Sequence, residues 1–376
     1  MTDLDAVTLA VLGHPHRRLL GALTRHWLAR PTPEVDDLPP PHDGESFVQW
    51  TARCVSGPAG DAALELQEAR RRAARALAAA AAVGQTAVSI ASPAYPAALR
   101  TIPDPPPVLW LRGRAAAWQV PRLVAVVGAR AASRSGLEVA AALGDGLARA
   151  GVTVVSGLAR GVDTAAHRAA VAAGGVTIAV LGSGLDRLYP PEHAVLAEAI
   201  VERGALVGEC LPGTPPMAFH FPLRNRIISG LAAATVVVEA SEKSGSLITA
   251  GAALDQGREV MAVPGAVPAG RHRGAHALLR DGATLVECAA DVLIALGWAE
   301  PSASGGAAPA SGLDPTLAAD LGLDPATDDF GPDDVARATH WPLAVVAAKL
   351  GELEISGRIQ RIGGGRFVGL RTRVLT

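Results

Sequence analysis

The residues most able to do chemistry in this chain lie between Phe219 and Ala250, in FHFPLRNRIISGLAAATVVVEASEKSGSLITA. Arg224 and Arg226 flank Asn225, an apolar run follows, and Glu239 ends it. Ser244-Gly245-Ser246 then opens a helix, with Thr249 behind. Hydroxyls, guanidinium groups and unpaired helix N–H groups are donors suited to an oxygen-rich anion. No acid/base pair and no metal-ligand cluster accompanies them, so binding is expected before chemistry, and no metal or cofactor is expected.

Three other segments share this character. Gly128-Ala129-Arg130 is followed by Ser133 and Gly136; Ser156-Gly157-Leu158-Ala159-Arg160-Gly161 leads to Asp163 and His167; Gly182-Ser183-Gly184 leads to Tyr189-Pro190-Pro191. Each pairs Gly, which lets backbone approach closely, with a hydroxyl or an Arg. Taken alone, such a loop is only how a strand turns into a helix, and Asp163 would be a cap. Four along one edge point instead to an extended phosphate-bearing ligand, a strand of nucleic acid rather than one nucleotide. The G-x-G-x-x-G spacing of a dinucleotide site is missing, and no acidic residue ends the second strand where a ribose would need one. His167 has neither nucleophile nor ligand set beside it and reads as a structural hydrogen-bonding residue. Arg271, His272 and Arg273 fit a solvated loop or the rim of the groove equally.

The elements that position these loops follow from periodicity. Short apolar runs at Leu123–Val127, Val152–Val155, Val176–Leu181, Ala205–Val207, Thr235–Val238 and Val260–Val263 alternate with Ala-rich helical stretches. That rhythm predicts an α/β fold, a Rossmann-like, doubly wound, mostly parallel sheet with ligands at the carboxyl ends of its strands. Before it, residues 1–86 read as a small helical domain with a Pro-rich break at Pro31 to Pro41. Its last helix stops at Gly84, and His14, His16 and His26 have no metal spacing. Residues 87–298 form the core domain, entered by an extended, turn-rich connector up to Gly113. Residues 299–312 read as a flexible linker, and 313–376 as a winged-helix-like domain whose hairpin turns at Gly363-Gly364-Gly365. Arg358, Arg361 and Arg366 sit on its wing, among the acidic residues Asp328, Asp329, Asp333, Asp334, Glu352 and Glu354.

Composition narrows the class. The 376 residues are 49% hydrophobic and 19% charged, with net charge −2, so no global basicity argues for nucleic acid and any such case is local. No apolar run is long enough for a membrane span and no export signal is read at the start, so a cytoplasmic address is expected. Three scattered Cys fit reduced thiols better than a disulfide frame. With 3% aromatic residues, base stacking is expected to contribute little and affinity to be electrostatic.

The segments YPAALRTIPDPPPVLWLRG, VAVVGARAASRSG, VVSGLARGVDTAAH, AVLGSGLDRLYP, FPLRNRIISG, VVVEASEKSGSLITA and VMAVPG together resemble the bacterial DNA processing protein A family, also called Smf. The resemblance implies a dimeric, non-catalytic mediator of recombination that binds and protects single-stranded DNA. It further implies the RecA recombinase as a partner, loaded onto strands covered by single-strand-binding protein, in natural transformation or repair. The implied phosphate site comprises Gly128, Arg130, Ser133, Gly136, Ser156, Gly157, Arg160, Gly161, Asp163, Arg224, Asn225, Arg226, Ser244, Gly245 and Ser246. Ala129 stands where the family commonly has Ser or Thr, Pro191 and His193 where many relatives have a basic residue and Asn, and His276 where Asn is usual. The alternative from another class is an enzyme resembling the phosphoribohydrolases, with Glu239 acting on a nucleoside monophosphate, although their P-G-G-x-G-T-x-x-E signature is absent. An interaction scaffold is the third reading.

Overall fold

The computed structural model describes residues 2–13, 23–24, 42, 44–56, 61–268, 270–299, 315–324, 329–355, 358–361 and 366–369. The three N-terminal His, the Pro-rich break, the linker from 300 to 312 and the Gly triplet of the hairpin therefore lie outside the described residues. The chain divides into two compact units, Met1–Trp298 and Ala299–Thr376.

In the first unit the described helices α1 (Asp3–Gly13), α2 (Phe47–Ser56) and α3 (Ala62–Ala82) precede the sheet. Asp61 caps α3 by accepting from the Ala63 and Leu64 amides, and Gly84 follows its end at φ +68, as a helix stop requires. Ala6, Val7, Ala73, Ala76 and Ala80 then pack on Trp110, Leu181 and Ile200, so this helical cap shares a core with the sheet.

Nine strands form that sheet, in the order β1-β2-β6-β5-β4-β3-β7-β8-β9. They are β1 (Thr86–Ser89), β2 (Val108–Gly113), β3 (Leu123–Val127), β4 (Thr153–Ser156), β5 (Thr177–Leu181), β6 (Ala205–Gly208), β7 (Ala234–Val237), β8 (Glu259–Ala262) and β9 (Thr284–Leu285). From β6 to β9 every pairing is parallel, while β1 and β2 join antiparallel at one edge. The connector expected at residues 87–113 is thus part of the sheet, because Val108–Leu111 pairs with β1 and Trp110–Gly113 with β6. Both faces are covered. Leu123, Ala125 and Val127 enter one core cluster and Val124 and Val126 the other, the alternation that a fully buried strand demands.

Strand β3 neighbours both β4 and β7 in parallel register, so the winding reverses there. This is the switch point, where the loops after β3 and β7 part and leave a crevice. Helices α6 (Val162–Ala172), α8 (His220–Leu231) and α9 (Gly245–Asp255) line it, and α5 (Arg134–Arg149) follows β3. Helix α4 (Ala97–Arg100) lies in the connector and α7 (Ala194–Arg203) between β5 and β6. Helices α10 (Arg273–Arg280) and α11 (Ala289–Ala295) flank β9.

The second unit holds α12 (Pro315–Leu321), α13 (Pro332–Thr339), α14 (Leu343–Ile355) and an antiparallel pair, β10 (Ile359–Arg361) with β11 (Phe367–Gly369). Leu317, Phe330, Val335, Leu350 and Phe367 make its own core. Arg358 reaches Asp320 at 3.5 Å, and Arg366 reaches Asp329 at 3.0 Å and Asp334 at 3.5 Å. Two of the three wing arginines are therefore already balanced by carboxylates of the same unit.

Candidate anion-binding cleft

A cleft of about 540 Å³ opens at the switch point. Of the residues expected at the site it gathers Gly128, Arg130, Asp163, Arg224, Asn225, Ser244, Gly245 and Ser246, and it adds Phe221, Glu239 and Arg271. Helix α8 supplies its wall by periodicity: Phe221, Arg224, Asn225 and Ile228 fall at i, i+3, i+4 and i+7 and all line the cleft.

Arg130 is exposed at the mouth. Its guanidinium lies 5.5 Å over the Phe221 ring and pairs with no carboxylate among the described residues. A cation lodged on an aromatic face keeps its N–H edge free for an incoming oxygen. Arg224 sits deeper and is 6% exposed. It donates to the Gly157 carbonyl at 2.9 Å. Burial pulls its pKa down to about 10, against the opposing pull of Asp163, so it stays charged at neutral pH. Asp163, itself buried, accepts from the Gly157 and Ala159 amides at 3.0 and 3.3 Å. Burial raises its pKa, and Arg224 and those amides restrain the rise. Asp163 is thus more than a cap, because it counters the buried Arg224 and shapes the β4 loop together.

The remaining expected residues support the cleft from outside it. The Ser133 amide and hydroxyl donate to the Glu239 carboxylate, the hydroxyl at 2.6 Å, and the same hydroxyl accepts from the Gly136 amide at 3.0 Å. Glu239, 1% exposed, thereby ties the loop carrying Arg130 to the end of β7. Its carboxylate is offset by Arg271 at 3.6 Å, whose guanidinium also donates to the Ala131 carbonyl. Of the two readings of that arginine, the rim is the observed one. A Cβ on Gly136 would lie 2.5 Å from a Glu239 oxygen, so a side chain there would push Glu239 away from Ser133. Ser156 is buried and donates to the Val126 carbonyl at 2.6 Å, stapling β4 to β3. Gly157 and Arg160 line a small recess beside Arg130, Tyr189 and Phe221. Arg226 points elsewhere, to Asp104 at 2.7 Å and Glu209 at 2.8 Å. It fastens the connector to the sheet and does not line the cleft.

Aromatic side chains are few, yet Phe221 and Tyr189 meet here at 5.5 Å and carry Arg130 and Arg160 on their faces. Composition alone hid this concentration.

His167 has the structural role expected. Thr177 donates its hydroxyl proton to the Val154 carbonyl, so His167 Nδ1–H must donate to the Thr177 oxygen at 2.7 Å. Nε2 then carries a lone pair, buried and without a partner among the described residues. Burial first, then the charge of Arg224 and the nearby His193, hold the pKa down at about 3 from an ordinary 6.5. The folded ring stays neutral where the unfolded one takes up a proton, so stability falls as pH drops through that window. The expected slope is up to roughly 1.4 kcal/mol per pH unit. Denaturant midpoints measured against pH should show it, and His167→Gln should flatten it; an equal slope in the variant would place the acid sensitivity elsewhere.

Among the described residues no group of three His, Cys, Asp or Glu is placed to hold a metal ion, and no helix is long and apolar enough to cross a membrane.

Fold and cleft together define a class, the Rossmann-like proteins with an arginine-lined cleft at the sheet's switch point. A family model described as DNA recombination-mediator protein A matches residues 86–297, and one described as DprA winged helix domain matches residues 300–365. Protein Smf of Escherichia coli K12 is 41% identical over 288 residues, covering 74% of this chain and 75% of that protein. The X-ray structure of DNA processing protein A from Streptococcus pneumoniae matches with TM-score 0.65 and 34% identity, over 78% of this chain and 97% of that one. A structure of DNA processing protein A from Helicobacter pylori, described for its single-stranded DNA binding mode, matches with TM-score 0.52 and 25% identity, over 56% of this chain and 95% of that one. The chain belongs to the DNA processing protein A (DprA/Smf) family, with the DNA-processing role in recombination that this membership carries.

Proposed function

We propose that the chain is a single-stranded DNA-binding recombination mediator, whose cleft takes backbone phosphates across the carboxyl edge of the sheet. The observation that carries this reading is Arg130, free of any carboxylate among the described residues and poised on Phe221 at the mouth, with charged Arg224 behind it. Phosphates would receive charge-assisted hydrogen bonds from these two, and amides at the start of α9 would add directed N–H groups. Contacts of this kind position a backbone without reading bases, so sequence preference is weak. The likeness to the Helicobacter pylori protein supports the same ligand.

In the cell the protein acts as a cytoplasmic homodimer that protects single strands and helps load RecA onto strands covered by single-strand-binding protein, in natural transformation or recombinational repair. Two linked clefts raise avidity without new contacts. The mediator role is tested with RecA filament assembly on strands pre-coated by single-strand-binding protein. Wild type should speed assembly and Arg130→Ala should not; a wild type that binds DNA without speeding assembly would leave a binder and remove the mediator. A sedimentation mass of one chain would contradict the dimer. The enzyme reading gains no support from Glu239, whose buried oxygens already serve Ser133; release of free base from nucleoside monophosphates would revive it.

A further inference from the structure

A second cleft, of about 350 Å³, adjoins the first and is lined by Arg130, Arg160, Gly161, Thr164, Arg168 and His193 among others. Arg130 and Ala131 line both, so the two meet at the loop after β3. The floor is tightly built. Gly161, at φ +80, packs where a Cβ would lie 2.2 Å from the Ala129 carbonyl oxygen, which lets the β3 and β4 loops close on each other. Buried His193 spans the Leu158 carbonyl at 2.9 Å and the Thr164 hydroxyl at 3.2 Å. Arg168 stands one turn beyond Thr164 on α6, exposed and paired with no carboxylate among the described residues. Arg160 is held: Glu192 contacts it at 2.6 Å, and the two side chains are 54% and 49% exposed.

We propose that this second cleft is a further phosphate subsite, extending the strand's path from Arg130 to Arg168, with Glu192 standing in for a phosphate until Arg160 exchanges it for the DNA. The proposal rests on the single-stranded DNA reading of the first cleft. An exposed ion pair contributes little to stability, whereas a guanidinium and a phosphate form a bidentate, charge-assisted contact that also releases counterions. The exchange therefore runs toward DNA once a strand is long enough to reach it. Glu192 therefore costs affinity only to strands long enough to reach Arg160, and short strands held in the first cleft do not meet it.

Anisotropy of labelled oligothymidylates, one short enough for the first cleft and one long enough for both, tests this over a salt series with wild type, Arg168→Ala, Glu192→Gln and Glu198→Gln. Glu198 holds Arg112 at 2.8 Å on α7 and controls for losing a carboxylate and freeing an arginine elsewhere. On the long strand Arg168→Ala should weaken binding several-fold and lower the log-log salt slope by about 0.7, one phosphate contact. Glu192→Gln should tighten long-strand binding several-fold more than Glu198→Gln does. Short-strand affinity is the internal reference, and the ratio of long to short should carry both effects. An unchanged slope in Arg168→Ala, or equal effects of the two glutamate variants, overturns the subsite. Failure of wild type to bind even the short strand overturns the first-cleft reading, and the subsite with it.

Discussion

Arg130→Glu lowers affinity for single-stranded DNA by at least about two orders of magnitude at physiological salt. The lost charge-assisted hydrogen bonds alone account for roughly 1.5 to 3 kcal/mol, and the new carboxylate repels the phosphate it replaces. Since the native side chain is exposed, lies over the Phe221 ring and pairs with no carboxylate among the described residues, the fold has little stake in it, and the melting temperature should stay within a degree or two of wild type. Arg130→Lys separates charge from shape. It keeps the cation but loses the planar fork, so binding should fall part of the way. Anisotropy beside a melting curve checks all three; a stable Arg130→Glu protein that binds normally would move the site off this cleft.

Arg226→Ala should do the reverse. This side chain is buried between Asp104 and Glu209, and burial lowers its pKa less than the two carboxylates raise it. Removing it takes the Arg226 charge from both carboxylates and loosens the connector, at a cost of about 3 kcal/mol. The thermal midpoint should drop by several degrees, while the salt slope of DNA binding in the folded protein should not change. Native-like stability with lost DNA affinity would make Arg226 a ligand contact after all. The contrast with Arg224 was present in the sequence as spacing: on a helix, residues two apart face different ways, so Arg224 and Arg226 cannot both line one wall.

Periodicity placed the parallel strands within about a residue of where they lie, because buried strands are continuous apolar runs whose ends are set by Gly and charge. It read Val108 to Leu111 as a strand entering the core domain but not which strands it joins, since one partner of Trp110 and Leu111 is β6, far along the chain. The Gly-rich loops and Arg130 were legible for the same local reason as the strands. What tied them together was not. Glu239 meets Ser133 across more than a hundred residues of sequence, and nothing in either segment announces the other. The tautomer of His167 likewise depends on Thr177, which only the fold brings to it. Nothing in the sequence around Arg168 singles it out, and it is the lining of the adjoining cleft that does.

The central claim, phosphate binding of a single strand in the switch-point cleft, is tested most directly by anisotropy of labelled single- and double-stranded oligonucleotides against wild-type protein over a salt series. Single strands should bind in preference to duplex, with a log affinity that falls linearly with log salt concentration, by about 0.7 for each phosphate engaged. Equal binding of both DNA forms, no binding, or affinity indifferent to salt would contradict it.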